Sequence, residues 1–198
     1  MNFLAHAFLS FNEPKVLVGN LIGDFVRGDV SDRFDREIVW GVQLHRDIDV
    51  FTDSHPAVKD AQKILKPTFG LYSLVITDMY FDFFLCKGWD NYCHQPIEEF
   101  SAHVYEVLEL HYGVLPRSFR PIFKNMKRQD WLANYGTLEA MKAGLTSLST
   151  RATFDSKMET AHLVLEERQE DFKASFEKFF PELIVFSRQR LNEMFSEK

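Results

Sequence analysis

The sequence predicts an all-α fold, a single-domain multi-helix bundle covering residues 1–198. Three observations predict it. Apolar residues recur at spacings of three and four through most of the chain, and strict apolar/polar alternation is hard to find over more than a few residues. No repeat, low-complexity run or Pro/Gly/Ser linker divides the chain, so nothing marks a domain boundary. The composition supplies a core: 45% of the residues are hydrophobic and 20 are Phe, which excludes disorder. Six to eight helices are expected.

Taken in order, residues 16–28 form a short helical stretch set among Gly19, Gly23 and Gly28. Val39, Val42, Leu44, Ile48 and Phe51 make a 3.6-residue stripe, and residues 69–86 read as a helix that is apolar all round. A second stripe runs through Ile97, Phe100, Val104, Val107, Leu108 and Leu110. Pro56, Pro67, Pro96, Pro116 and Pro121 fall where periodicity breaks. Residues 155–180 are expected to form one long amphipathic helix, which Pro181 ends or bends, with a further helix over residues 182–194.

The segment FGLYSLVITDMYFDFFLC carries two charges, Asp78 and Asp82, four residues apart on one helical face. A buried ionised carboxylate needs a cation or several donors. A divalent ion or an arginine from another helix each meets that need, and the helix contains no Lys or Arg of its own. In GVQLHRDIDVFTDSHP, His45 and Asp49 stand at i and i+4, with Asp53 one turn on and Arg46 alongside; a solvated charged face is the plainer reading. Asp24 lies in an apolar run between Gly23 and Gly28, with Asn20 before it and Arg27 after it. His6 is alone among apolar neighbours, a setting more typical of a hydrogen-bonded core histidine, and ranks below the others. One Glu-x-x-His, at Glu159 and His162, lacks the second copy that a dinuclear carboxylate bundle requires. No Walker loop, GxGxxG, GxSxG or HExxH occurs.

A net charge of -6 argues against nucleic acid as a partner. Within that acidic background, RSFRPIFKNMKR gathers Arg117, Arg120, Lys124, Lys127 and Arg128 without an acid, a surface suited to an acidic or phosphorylated partner. Membrane insertion is not expected, because Asp78 and Asp82 sit near the middle of the most apolar run, where each would cost roughly 2.5–3.5 kcal/mol. Two cysteines without a CxxC pair, and first residues without a positively charged leader, suggest a reducing cytoplasm.

Four motifs, MNFLAHAFLS, GNLIGDFVRG, the stretch from Gly41 to Pro56, and TDMYFDFFL with the following Trp89, occur in an order and spacing that resembles the acyl carrier protein phosphodiesterase family. That family is all-α and distantly related to HD-type metal phosphohydrolases. The resemblance implies hydrolysis of the phosphodiester joining 4′-phosphopantetheine to a serine of holo-acyl carrier protein, with Mn²⁺ preferred. It implies Asp24, His45 and Asp78 as leading metal ligands, Asp49 and Asp82 as further ligands or catalytic carboxylates, and His6 as a weaker ligand. Arg46 or Arg27 is implied to neutralise the substrate phosphate. HD enzymes carry an adjacent His-Asp pair, whereas His45 is followed here by Arg46, so Asp24 or Asp49 is implied to supply the missing carboxylate. The alternatives are an HD-like hydrolase of a nucleotide or other small phosphoester, and a non-catalytic module that binds an acidic protein.

Overall fold

In the computed structural model, which describes residues 1–196, the chain forms eleven α-helices joined by loops and five 3-10 turns, with no strand among the described residues. They are α1 (Phe3–Phe8), α2 (Pro14–Ile22), α3 (Arg36–Ser54), α4 (Pro56–Phe69), α5 (Ser73–Lys87), α6 (Ile97–Leu110), α7 (Arg120–Arg128), α8 (Trp131–Asn134), α9 (Leu138–Ser149), α10 (Ala161–Glu167) and α11 (Gln169–Ser196). The count exceeds the six to eight expected because several are single or double turns that carry no periodic signal. Proline starts α2, α4 and α7 in the first turn, where its missing N–H is not needed.

The C-terminal third differs from expectation. Residues 155–180 are not one helix: a 3-10 turn (Met158–Thr160) and α10 precede α11, and Pro181 lies inside α11 instead of ending it. The apolar face continues across the proline through buried Phe179, Phe180 and Leu183. Burying three such side chains contributes roughly 1.5–3 kcal/mol each, which outweighs the roughly 3 kcal/mol cost of an interior proline. Pro67 is likewise inside α4.

Helix α5 is the centre of the packing and touches α1, α4, α8, α9 and α11. Its Tyr80, Phe81, Phe83 and Leu85 are fully buried. Phe81 meets Phe176 and Phe179 of α11, and Tyr80 stands edge-on to Phe172. The continuous stretch Pro56–Lys87 is long and apolar enough to cross a membrane by length and composition, yet 61% of its most apolar window is buried inside the protein.

Helices α2 and α3 approach so closely that side chains are excluded from the contact. A Cβ on Gly19 would lie 2.0 Å from the Ile38 carbonyl oxygen, and one on Gly41 would lie 2.1 Å from that of Val16. This crossing determines where the polar residues of both helices meet.

Candidate metal centre and adjoining cleft

Asn20, buried in α2, orients two histidines. Its Nδ2 donates to the His6 carbonyl (2.8 Å) and to Ser10 Oγ (3.0 Å), so its Oδ1 is an acceptor and takes the proton of His6 Nδ1 at 2.8 Å. Its backbone carbonyl accepts from His45 Nδ1, also at 2.8 Å. His6 is thereby held in the tautomer that leaves Nε2 as the free nitrogen, and the bond at His45 Nδ1 turns its Nε2 toward the carboxylates. Their rings stack with centroids 4.1 Å apart. Gly23 makes this possible, since a Cβ there would fall 2.3 Å from His45 Cγ.

The two Nε2 atoms point at carboxylates. His45 Nε2 is 3.2 Å from both Asp49 Oδ2 and Asp24 Oδ1, and His6 Nε2 is 3.4 Å from Asp49 Oδ1. His6, His45 and Asp49 offer ligand atoms all within 4.8 Å of one another, which is a candidate metal site. The chemistry of His6 supports the fit. Burial, helped by the neighbouring His45, lowers its pKa to about 4, so the ring is neutral. Its buried Nε2 makes no hydrogen bond, and a lone pair facing a carboxylate is an arrangement that a cation between them would relieve. Burial also opposes charge on His45, but hydrogen bonds to Asp24 and Asp49 outweigh it and raise its pKa to about 9. Burial disfavours the Asp49 carboxylate as well, and the hydrogen bond from His45 together with the charge of the Met1 amino group overcomes it and holds the carboxyl well below its usual range. The hydrogen bond from His45 keeps exposed Asp24 low.

The other sequence-predicted residues are distributed around this cluster. Asp78 is 3.1 Å from the Met1 amino group, which also lies 3.5 Å from Asp49. Burial raises the Asp78 pKa and the amino group opposes it. Asp82 is fully buried and faces backbone: it accepts from the N–H groups of Leu4 (2.8 Å), Asn2 (3.3 Å) and Ala5 (3.4 Å), capping α1. Burial pushes it up to about 7 against those bonds. The four-residue spacing of Asp78 and Asp82 therefore serves two environments. Arg46 is half-buried and donates to the Gly28 carbonyl at 2.9 Å, bracing the loop after Asp24, while Arg27, three residues on from Asp24, is exposed. Asp53 is exposed.

The basic stretch is partly occupied. Arg120 donates to the carbonyls of Leu115 and Gly113 and stacks on Tyr112, and Lys127 pairs with Glu109 at 2.6 Å, an acid that the local sequence does not contain. Arg117, Lys124 and Arg128 remain exposed. Arg128 lines a cleft of about 670 Å³ that Met1, Asp24 and Asp78 also line. Helix α9 and Arg151 complete that cleft, and no motif in the sequence marked them.

A family model described as acyl carrier protein phosphodiesterase matches residues 1–183. The chain is similar to the acyl carrier protein phosphodiesterase of Photorhabdus laumondii, with 31% identity over 91% of this chain and 92% of that protein. The protein of that name from Yersinia pestis is 29% identical over 93% and 96%, and the one from Escherichia coli O6:H1 is 26% identical over 93% and 96%. No solved structure matches. With a family model spanning residues 1–183, the chain belongs to the acyl carrier protein phosphodiesterase family.

Proposed function

We propose that this protein hydrolyses the phosphodiester of holo-acyl carrier protein, releasing 4′-phosphopantetheine and apo-acyl carrier protein, with Mn²⁺ held by His6, His45 and Asp49. The observation that carries this reading is the convergence of two Nε2 atoms, each oriented through its ring's Nδ1, on one carboxylate, within a chain of this family. Two imidazole nitrogens with carboxylate oxygens form a donor set that suits Mn²⁺.

When bound, such an ion supplies Lewis acidity, lowering the pKa of water and polarising a phosphoryl oxygen. The chain's own residues supply the rest. Asn20 orients both imidazoles, so the ligand nitrogens are in place before substrate arrives. Asp24 is exposed at the rim, bonded to His45, and lines the cleft, a position from which its carboxylate accepts the proton of an attacking water. Arg128, which lines the same cleft, offsets the charge gathering on the phosphoryl oxygens. Arg27 lies three residues on from Asp24, and Arg46 acts through the loop it braces. Asp78 balances the charge of the buried amino group, and Asp82 holds α1, which carries His6. Exposed Arg117 and Lys124 form the start of a docking face for the acidic carrier protein.

The test is to incubate the purified protein with holo-acyl carrier protein and either Mn²⁺ or chelator, then weigh the carrier protein by intact mass spectrometry. Loss of the phosphopantetheine mass with Mn²⁺ and its retention with chelator is the expected result. An unchanged mass in both would overturn the reading and leave a small phosphoester as the substrate to try.

A further inference from the structure

The cleft beside the candidate centre has a shape and lining of its own. Along α9, Ala140, Ala143, Gly144, Ser147 and Leu148 lie on one face and form one wall. Four of these five side chains are small, and from first to last the row rises about 12 Å. Gly144 is part of the opposing packing as well, since a Cβ there would lie 2.6 Å from the Met79 methyl group. The result is a cleft with more apolar than polar lining that reaches Asp78 and Asp24, the latter bonded to His45 of the candidate centre.

Two of its amides have a fixed orientation. Asn125 Oδ1 accepts from Arg128, and Gln129 Oε1 accepts from Trp131 Nε1, so each amide directs its oxygen to a neighbour and keeps its –NH₂ as a donor. Arg128 and Arg151 add positive charge at the cleft.

We infer that this channel receives the phosphopantetheine arm of the substrate, with Ala143 and Ser147 setting its width. The inference rests on the proposed function and specifies where the substrate lies. The occupant is a linear, amide-containing thiol ending in a phosphodiester. Its skeleton from phosphate to sulfur is comparable in length to about four extended residues, about 14 Å, which matches the small-residue row. Its methyl groups suit the apolar walls, its amide carbonyls suit the two –NH₂ donors, and its phosphate lies toward the cations and the metal centre.

Ala143 and Ser147 are exposed to the cleft and not packed in the core, so Ala143→Leu and Ser147→Leu narrow the channel while leaving the fold intact. Ser147→Ala keeps the width. Three readouts are compared across wild type and these variants: Mn²⁺ titration, binding of free 4′-phosphopantetheine by calorimetry, and kcat/KM on holo-acyl carrier protein. The expected result is a tenfold or greater loss of kcat/KM and of 4′-phosphopantetheine affinity in both Leu variants, near-wild-type behaviour of Ser147→Ala, and unchanged Mn²⁺ titration throughout. If wild type and the Leu variants convert holo-acyl carrier protein equally, the arm lies elsewhere and this inference falls, while the proposed function stands. If wild type fails to convert it, the function falls, and the channel is judged by calorimetry alone: binding that the Leu variants weaken sustains it, and no binding in wild type overturns it.

Discussion

Asn20 serves both imidazoles of the candidate centre, one through its side chain and the other through its backbone. Asn20→Ala removes the partner of His6 Nδ1 and frees the ring to turn or change tautomer. We expect Mn²⁺ affinity to fall by about 10–100-fold, the usual cost of losing an orienting partner, with His45 still held by the unaltered backbone carbonyl. Titration with Mn²⁺ checks this, and an unchanged affinity would remove His6 from the ligand set. The same residues make a prediction about pH. In metal-free protein the folded pKa of His45 is raised from about 6.5 to about 9. The folded state therefore binds more protons than the unfolded state between those values, and this stabilisation, complete below pH 6.5, is lost as pH rises through 9. His6 has the opposite sign: with a folded pKa of about 4, its contribution is lost as pH falls from 6.5 toward 4. Chelated His45→Gln should therefore lose less melting temperature than wild type between pH 6.5 and 9, since the raised Asp82 and amino-group pKa values act on both proteins alike. The i, i+4 spacing of His45 and Asp49 is legible in local sequence, whereas His6 stands alone among apolar residues because its partners are 14 and 39 positions away, at Asn20 and His45.

At the scale of elements, the α2–α3 crossing and the cap of α1 hold the centre together. The close glycine contact places Asn20 under His45, so Gly41→Ala must separate the helices. Overpacking of this kind costs roughly 1–3 kcal/mol, and the variant should lose both stability and Mn²⁺ affinity, read by urea denaturation and metal titration together. A loss of stability with unchanged metal affinity would show that the crossing does not position the site. Asp82 bears on the fold through α1: Asp82→Ala leaves three backbone donors without their acceptor, a cost of roughly 1–3 kcal/mol for each one buried and unsatisfied. We expect a markedly lower urea midpoint with Mn²⁺ affinity within about twofold of wild type once the protein is folded; a tenfold loss of affinity would return Asp82 to the ligand set. The stripes over residues 39–51 and 97–110 were readable because periodicity follows directly from burial of one helical face. The interruption of residues 155–180 and the passage of α11 through Pro181 were not, because packing against α3, α4 and α5 decides them.

For the whole molecule, charge is distributed unevenly: a net charge of -6 coexists with exposed cations on and before α7. Arg117→Glu with Lys124→Glu reverses two of them without touching the cleft. The expected outcome is a KM for holo-acyl carrier protein raised severalfold at low ionic strength, with the difference shrinking as salt screens it, and no change in hydrolysis of a small phosphodiester. Equal loss on both substrates would show that the variant damages the centre and not a docking face. The basic run was visible in sequence, but its composition overstated it, since Glu109 of α6 neutralises Lys127 and Arg120 is committed to backbone carbonyls.

By itself the sequence determined the helical class, the buried character of α5 and the set of His and Asp residues with chemical potential, because these follow from periodicity, composition and the cost of burying charge. Its motifs also carried the family resemblance. Only the tertiary structure decided which of those residues share a centre. Asp78 and Asp82 lie on one helix face yet meet different partners, an amino group and a helix N-terminus, whereas His6, His45 and Asp49 come together from two helices and Asp24 joins them from the turn after a third. The physical reason is that ligand geometry depends on how helices cross, and here that crossing is governed by the absence of side chains at Gly19 and Gly41, a property of contact between distant segments that no local pattern records.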